Sequence, residues 1–175
     1  MKTIFALTVL LLGNFAHADM SRSTLFSLNT IYLDRDYTGA GASSKETDTD
    51  FRLTRIEKGW SYGILYAQSA NDSSSANRTS YGLSVGYFSD KDFYLSYSYF
   101  YSSKYKLGNT EYNHGSGYEF DLGFLSKITS SFYAGLLFAI KNFSYTNQNT
   151  GGVDSPASVT HKEVIPMFSF GINFM

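Results

Sequence analysis

Between Ser80 and Tyr101 the chain alternates in bulk. Tyr81, Leu83, Val85 and Tyr87 are separated by Ser80, Gly82, Ser84 and Gly86, so every second side chain is large and its neighbour is tiny. A period of two sends successive side chains to opposite faces, which is the signature of a β-strand. After Ser89, Asp90, Lys91 and Asp92 the pattern resumes, with Phe93, Leu95, Tyr97, Tyr99 and Tyr101 set against Tyr94, Ser96, Ser98 and Phe100. The segment therefore predicts an antiparallel hairpin with one greasy side.

The same period recurs along the chain. Strands are expected at about 23–32, 50–56, 60–68, 80–88, 93–101, 117–125, 132–141 and 164–174. Short turns are expected at 57–59, 89–92 and 126–130, and polar loops at 34–49, 71–78, 102–116 and 146–161. Eight strands with long and short connections in alternation predict an all-β fold: an eight-stranded antiparallel up-and-down transmembrane β-barrel with long extracellular loops and short periplasmic turns.

Volume decides which face points out. An eight-stranded ring has an interior just wide enough for side chains or one small ligand. The chain carries 15 Tyr and 15 Phe beside 15 Gly. Rings on the bulky face of every strand would overfill that interior, whereas Gly, Ser and Ala suit it. The bulky face is therefore expected outside, where only lipid makes a continuous apolar belt stable. Trp60, Tyr62, Tyr87 and Phe93 near the short turns, and Tyr99, Tyr101 and Tyr118 near the loops, would form two aromatic girdles at the level of the lipid headgroups.

Residues 1–18 read as a signal peptide, with Lys2, an apolar core from Ile4 to Leu12, and the small-residue site Ala16-His17-Ala18; residues 19–175 are then the barrel. The absence of cysteine removes both disulfides and a lipid-modified Cys. The run 132–140 falls well below the roughly 18 residues of a membrane helix and near the roughly 9–11 of a tilted membrane strand. A net charge of −1 with scattered Lys and Arg argues against nucleic acid as a partner. These features lead to the outer membrane of a bacterial cell.

A signal peptide, eight alternating strands and a last strand with Phe168, Phe170, Ile172 and Phe174 at every second place resemble the small barrels of the OmpA transmembrane domain and OmpX families. The resemblance covers the whole mature chain. It implies outer-membrane lipid and lipopolysaccharide as surroundings, a monomer, and the barrel-assembly machinery reading Phe170, Ile172 and Phe174 during biogenesis; here Met175 follows the terminal aromatic. No separate peptidoglycan-binding domain is expected.

Inward charges are the main site candidates. Arg52, Glu119, Asp121 and Lys141 balance in sign, and an unpaired charge inside would be costly, so an ionic cluster plugging the interior is expected. Lys104, Tyr105 and Lys106 stand where lipopolysaccharide phosphates would meet them. Catalysis would need a nucleophile and a base, and His114, Ser116 and Glu119 are the one such group; it faintly resembles the His-x-Ser element of lipid A deacylases but has Gly117 where those have asparagine. A loop end is the simpler reading, with no enzyme. The acidic residues Glu46, Asp48 and Asp50 are expected in a solvated loop, and neither a metal site nor a cofactor is expected. The favoured function is a structural or surface-interaction barrel with no large pore. The alternatives are a narrow channel for small or hydrophobic solutes and a lipid A-modifying enzyme.

Overall fold

The structure, a computed structural model, describes residues 22–37, 42–89 and 92–174; the expected signal peptide, residues 38–41 with Gly39 and Gly41, and Met175 lie outside them. Eight strands follow one another: β1 (Arg22–Tyr37), β2 (Ala42–Glu57), β3 (Trp60–Asn71), β4 (Ala76–Phe88), β5 (Phe93–Leu107), β6 (Thr110–Lys127), β7 (Phe132–Thr150) and β8 (Val153–Phe174). Each pairs antiparallel with the next, and β8 returns to β1, so the ring is closed and up-and-down.

The stagger of the ring can be read from its partners. Starting at Val164, cross-strand neighbours run through Ile140, Phe120, Tyr97, Val85, Tyr62, Arg55 and Thr24 and come back to β8 at Phe174, ten residues further along. Ten residues of stagger over eight strands correspond to strands tilted by roughly 40° from the axis.

The strands are longer than their apolar stretches predict. The four segments expected as polar loops are largely paired: Glu46 lies opposite Asn71, Ala76 opposite Leu107, and Thr110 opposite Thr150, with only short turns at 72–75, 108–109 and 151–152. The long-loop expectation fails there because a ladder is held by backbone bonds and cross-strand pairs, which polar side chains also supply. Thr110 and Thr150 hydroxyls lie 3.1 Å apart, Tyr105 stacks on Tyr112 at 5.9 Å, and Asn149 Oδ1 accepts from the Gly152 N–H at 3.1 Å. Gly151 and Gly152 take φ of 61° and 88°, the left-handed pair that a two-residue hairpin turn requires.

The two faces separate cleanly. Ile64, Leu83, Phe124 and Phe138 stand 57–59% exposed on the outside. Inside, three zones stack along the axis. Near the 57–59 turn, Leu25, Ile56, Phe88, Tyr94, Leu125, Tyr133 and Leu137 pack together. Charged residues and serines occupy most of the middle, beside a smaller apolar cluster of Ile31, Ala139, Ile165 and Met167. Towards the 108–109 turn, Leu65, Ala67, Phe100, Phe143 and Tyr145 form a second apolar cluster. The interior is thus not made of small residues and ions alone; rings cap the polar middle at both ends. Interior glycines make room for those rings: a Cβ on Gly115 would come within 2.5 Å of the Tyr145 ring, and one on Gly117 within 2.6 Å of the Phe143 ring.

Candidate functional site

Arg52 lies on the inward face of β2, two residues from Asp50 and four from Asp48, so alternation sends all three side chains to the axis. Its Nη2 pairs with Glu119 and lies 2.5 Å from Asp121 Oδ2, both on β6. Its Nη1 donates to Ser96 Oγ at 2.8 Å and to Tyr94 OH at 3.2 Å, both on β5. Ser96 in turn donates to Asp121 Oδ2 at 2.7 Å.

Lys141, from β7, is the second centre. Its Nζ lies 2.6 Å from Asp48 Oδ1, 2.8 Å from Asp50 Oδ1 and 3.4 Å from Glu119 Oε2. Arg78, from β4, is the third. Its Nη2 reaches Asp48 Oδ2 at 3.1 Å and Glu163 Oε2 at 2.7 Å, and its guanidinium sits 4.2 Å over the Phe143 ring. His161 Nε2 is 3.3 Å from Glu163 Oε1 and closes the column on the upper side. Beside it Tyr145 OH, Ser103 Oγ and Ser80 Oγ form a hydroxyl chain with links of 3.0 and 2.8 Å. Burial pushes the phenol pKa values of Tyr145 and Tyr105 upward.

All four interior charges singled out in the sequence, Arg52, Glu119, Asp121 and Lys141, meet in this column. Four further members were missed. Asp48, Asp50, Arg78 and Glu163 fall in stretches expected as loops or at strand ends, yet each keeps the parity of an inward residue: Asp48 and Asp50 that of Arg52, Arg78 that of Ser80, Glu163 that of Ser169. Asp48 and Asp50 are therefore buried rather than solvated, and both are spoken for by Lys141. The column thus holds five acids and three bases, with His161 beside Glu163.

The remaining candidates are dispersed. Lys104 and Lys106 point outward and are exposed, but Tyr105 faces inward, against Tyr112, Tyr145 and His161. A register shift causes this: β5 pairs Tyr81 with Ser102 and Gly82 with Phe100, so Tyr101 is an extra residue and the phase beyond it is reversed. His114 has φ of 52° and interrupts the ladder between Asn113 and Ser116. Among the described residues its ring makes no hydrogen bond to Ser116, and Glu119 points inward to Arg52. No group of three or more metal-ligating side chains occurs among the described residues.

On the outside, Trp60 meets Tyr87 edge-on at 5.5 Å, with Tyr62 beside them on the same face; Phe93 meets Phe124 at 5.9 Å. Further along the axis Tyr99 and Tyr101 are exposed, and Tyr118 OH accepts from Asn142 Nδ2 at 2.9 Å. Phe170, Ile172 and Phe174 share the outer face of β8, with Phe170 stacked on Phe132 at 6.5 Å. No protein-family model and no curated protein matches the sequence.

Proposed function

We propose that this chain is a small β-barrel of the bacterial outer membrane with a structural or surface-interaction role and no large pore. The outer face supports the reading best. Measured along the axis, its apolar residues run from Phe174 and Trp60 to Tyr101 and Val164, about ten residue steps of roughly 2.5 Å each at this tilt, or about 25 Å, the height of an outer-membrane apolar belt. Polar residues then take over on the same face, at Gln68, Thr79, Asn142 and Lys162. In water such a belt would drive aggregation; in lipid it is the stable face. The ring also pairs most backbone groups within the sheet, as hydrocarbon favours, the upper β1–β8 seam excepted.

The interior argues against a wide pore. Arg52, Lys141 and Arg78 with their five acids fill the middle, and aromatic clusters close it above and below. Terminal residues Phe170, Ile172 and Phe174 carry the alternation that assembly machinery would read, and Lys104 and Lys106 project beyond the belt, placed to meet lipopolysaccharide phosphates. No catalytic role is proposed.

The test combines three measurements on the mature protein: recovery in the outer-membrane fraction, slower or faster migration on gels after heating, and current across planar bilayers. Outer-membrane recovery, heat-modifiable migration and at most a very small conductance are expected. Recovery in the soluble periplasm would sink the membrane reading, and large ohmic channels would sink the plug.

A further inference from the structure

The ring is closed unevenly. Every neighbouring pair other than β1 and β8 shares at least twelve ladder partners, whereas β1 and β8 pair only from Thr24 opposite Phe174 to Thr30 opposite Phe168. Continuing that register would set Ile31 against Met167 and Tyr32 against Pro166, and the ladder stops there.

Pro166 supplies the physical cause. The Asn173 N–H donates to Ser131 O at 2.7 Å, on the β7 side of β8. Donors alternate sides along a strand, and the β7–β8 register is unbroken from Ile172 to Val159, so position 166 faces β1. A proline has no N–H to give, so the bond that would extend the seam cannot form. Beyond this point Val164 is 72% exposed, more than any other large apolar residue described, and Tyr32 across the seam is 58% exposed. Behind the seam lies an apolar interior cluster of Ile31, Ala139, Ile165 and Met167, flanked by Leu33. Lys162, exposed on the outer face of β8, stands one alternation above Val164, where the apolar belt ends.

Resting on the membrane reading above, we propose that the β1–β8 seam beyond Thr30 and Phe168 is a lateral slot for a single-chain anionic amphiphile of the fatty-acid class. The carboxylate pairs with Lys162 at the headgroup level. The acyl chain runs down over Val164 and the Pro166 ring, beside Tyr32, and reaches Ile31, Ile165 and Met167 as the strands part. Elsewhere around the ring each ladder resumes beyond its bulges and runs on towards its hairpin turn, which bars such entry. An amphiphile with a cationic head would be repelled by Lys162.

The test uses the mature barrel in phosphatidylcholine vesicles with a palmitic acid carrying a photoreactive diazirine in its chain. A phosphatidylcholine with the same group is run in parallel, and labelled peptides are identified by mass spectrometry. Palmitate label is expected on the peptides holding Tyr32 and Val164 to Phe168 at about fivefold the level found around Ile64 and Leu83, while the phospholipid labels all outer faces alike. Palmitate label spread as evenly as phospholipid label would overturn the slot. Failure of the phospholipid to label the outer faces would instead overturn the membrane reading. Pro166→Thr restores the donor and is expected to lower seam labelling by about threefold while heat-modifiable migration persists; Lys162→Gln, on an exposed side chain that leaves folding intact, should lower it by a similar factor. Unchanged labelling in Lys162→Gln would overturn the carboxylate assignment.

Discussion

Lys141 holds Asp48 at 2.6 Å although the two residues are 93 positions apart. The ammonium sits on β7 and the carboxylate on β2, strands that are not neighbours in the ring, so the contact crosses the interior rather than following the sheet. Both groups are fully buried, and Asp50 shares the same ammonium.

Removing that ammonium leaves two buried carboxylates without it. Lys141→Met is expected to destabilise the barrel by about 3–5 kcal/mol. Guanidinium titration followed by the fluorescence of Trp60 measures the loss. The triple variant Asp48→Asn, Asp50→Asn, Lys141→Met should recover much of it, since the cost lies in stranded charge; a triple variant as weak as the single one would refute this account.

Charge placed on the outer face should cost according to its position along the axis. Leu83→Arg, in the middle of the belt, is expected to cost about 2–4 kcal/mol in lipid vesicles, and Gln68→Arg, beyond its edge, about 0–1 kcal/mol. Equal effects at the two positions would show that no hydrocarbon lies against Leu83.

Gly115 and Gly151 are both glycines for different reasons. A side chain at Gly115 would strike the Tyr145 ring and Ser103 O, so Gly115→Val is expected to cost about 1–3 kcal/mol by overpacking. Gly151 has open space around it but a φ of 61°, so Gly151→Ala should cost about 1 kcal/mol through the backbone alone. Gly151→Asn, which tolerates that conformation, should be milder than the alanine variant in the same unfolding measurement.

Lys104 and Lys106 share an outward face beyond the belt, and Lys104 lies 3.7 Å from Glu111. The double variant Lys104→Glu, Lys106→Glu is expected to co-purify with less lipopolysaccharide in detergent while its unfolding free energy stays within about 0.5 kcal/mol of the parent. Unchanged co-purification would remove these residues from the proposed contact.

Much of this arrangement is written in the period of two. Tyr81 to Tyr87 and Tyr118 to Phe124 alternate so strictly that their outward and inward faces follow directly from the residues, and Arg52, Glu119, Asp121 and Lys141 fall on the inward side by the same count. The upper parts of the strands were illegible because polar hairpins have no apolar face to contrast with a polar one. Asp48 and Asp50 read as a solvated loop for that reason, and Arg78 as part of a serine-rich one. Tyr105 was lost differently: one extra residue at Tyr101 reverses the phase, and nothing in the composition of 99–106 marks a bulge. The short β1–β8 ladder was equally hidden, since Pro166 shows its effect only once the side its nitrogen faces is known.

Several ion pairs along the axis join strands that are distant in the chain, β2 to β6, β2 to β7 and β4 to β8, while Lys141 with Glu119 joins the neighbours β7 and β6. A cylinder built only as far as β5 therefore leaves Arg52 and Asp50 without their charged partners, and Arg78 meets Glu163 only when β8 is in place. Such wiring leaves buried charge stranded in mispaired intermediates and matched in the finished molecule.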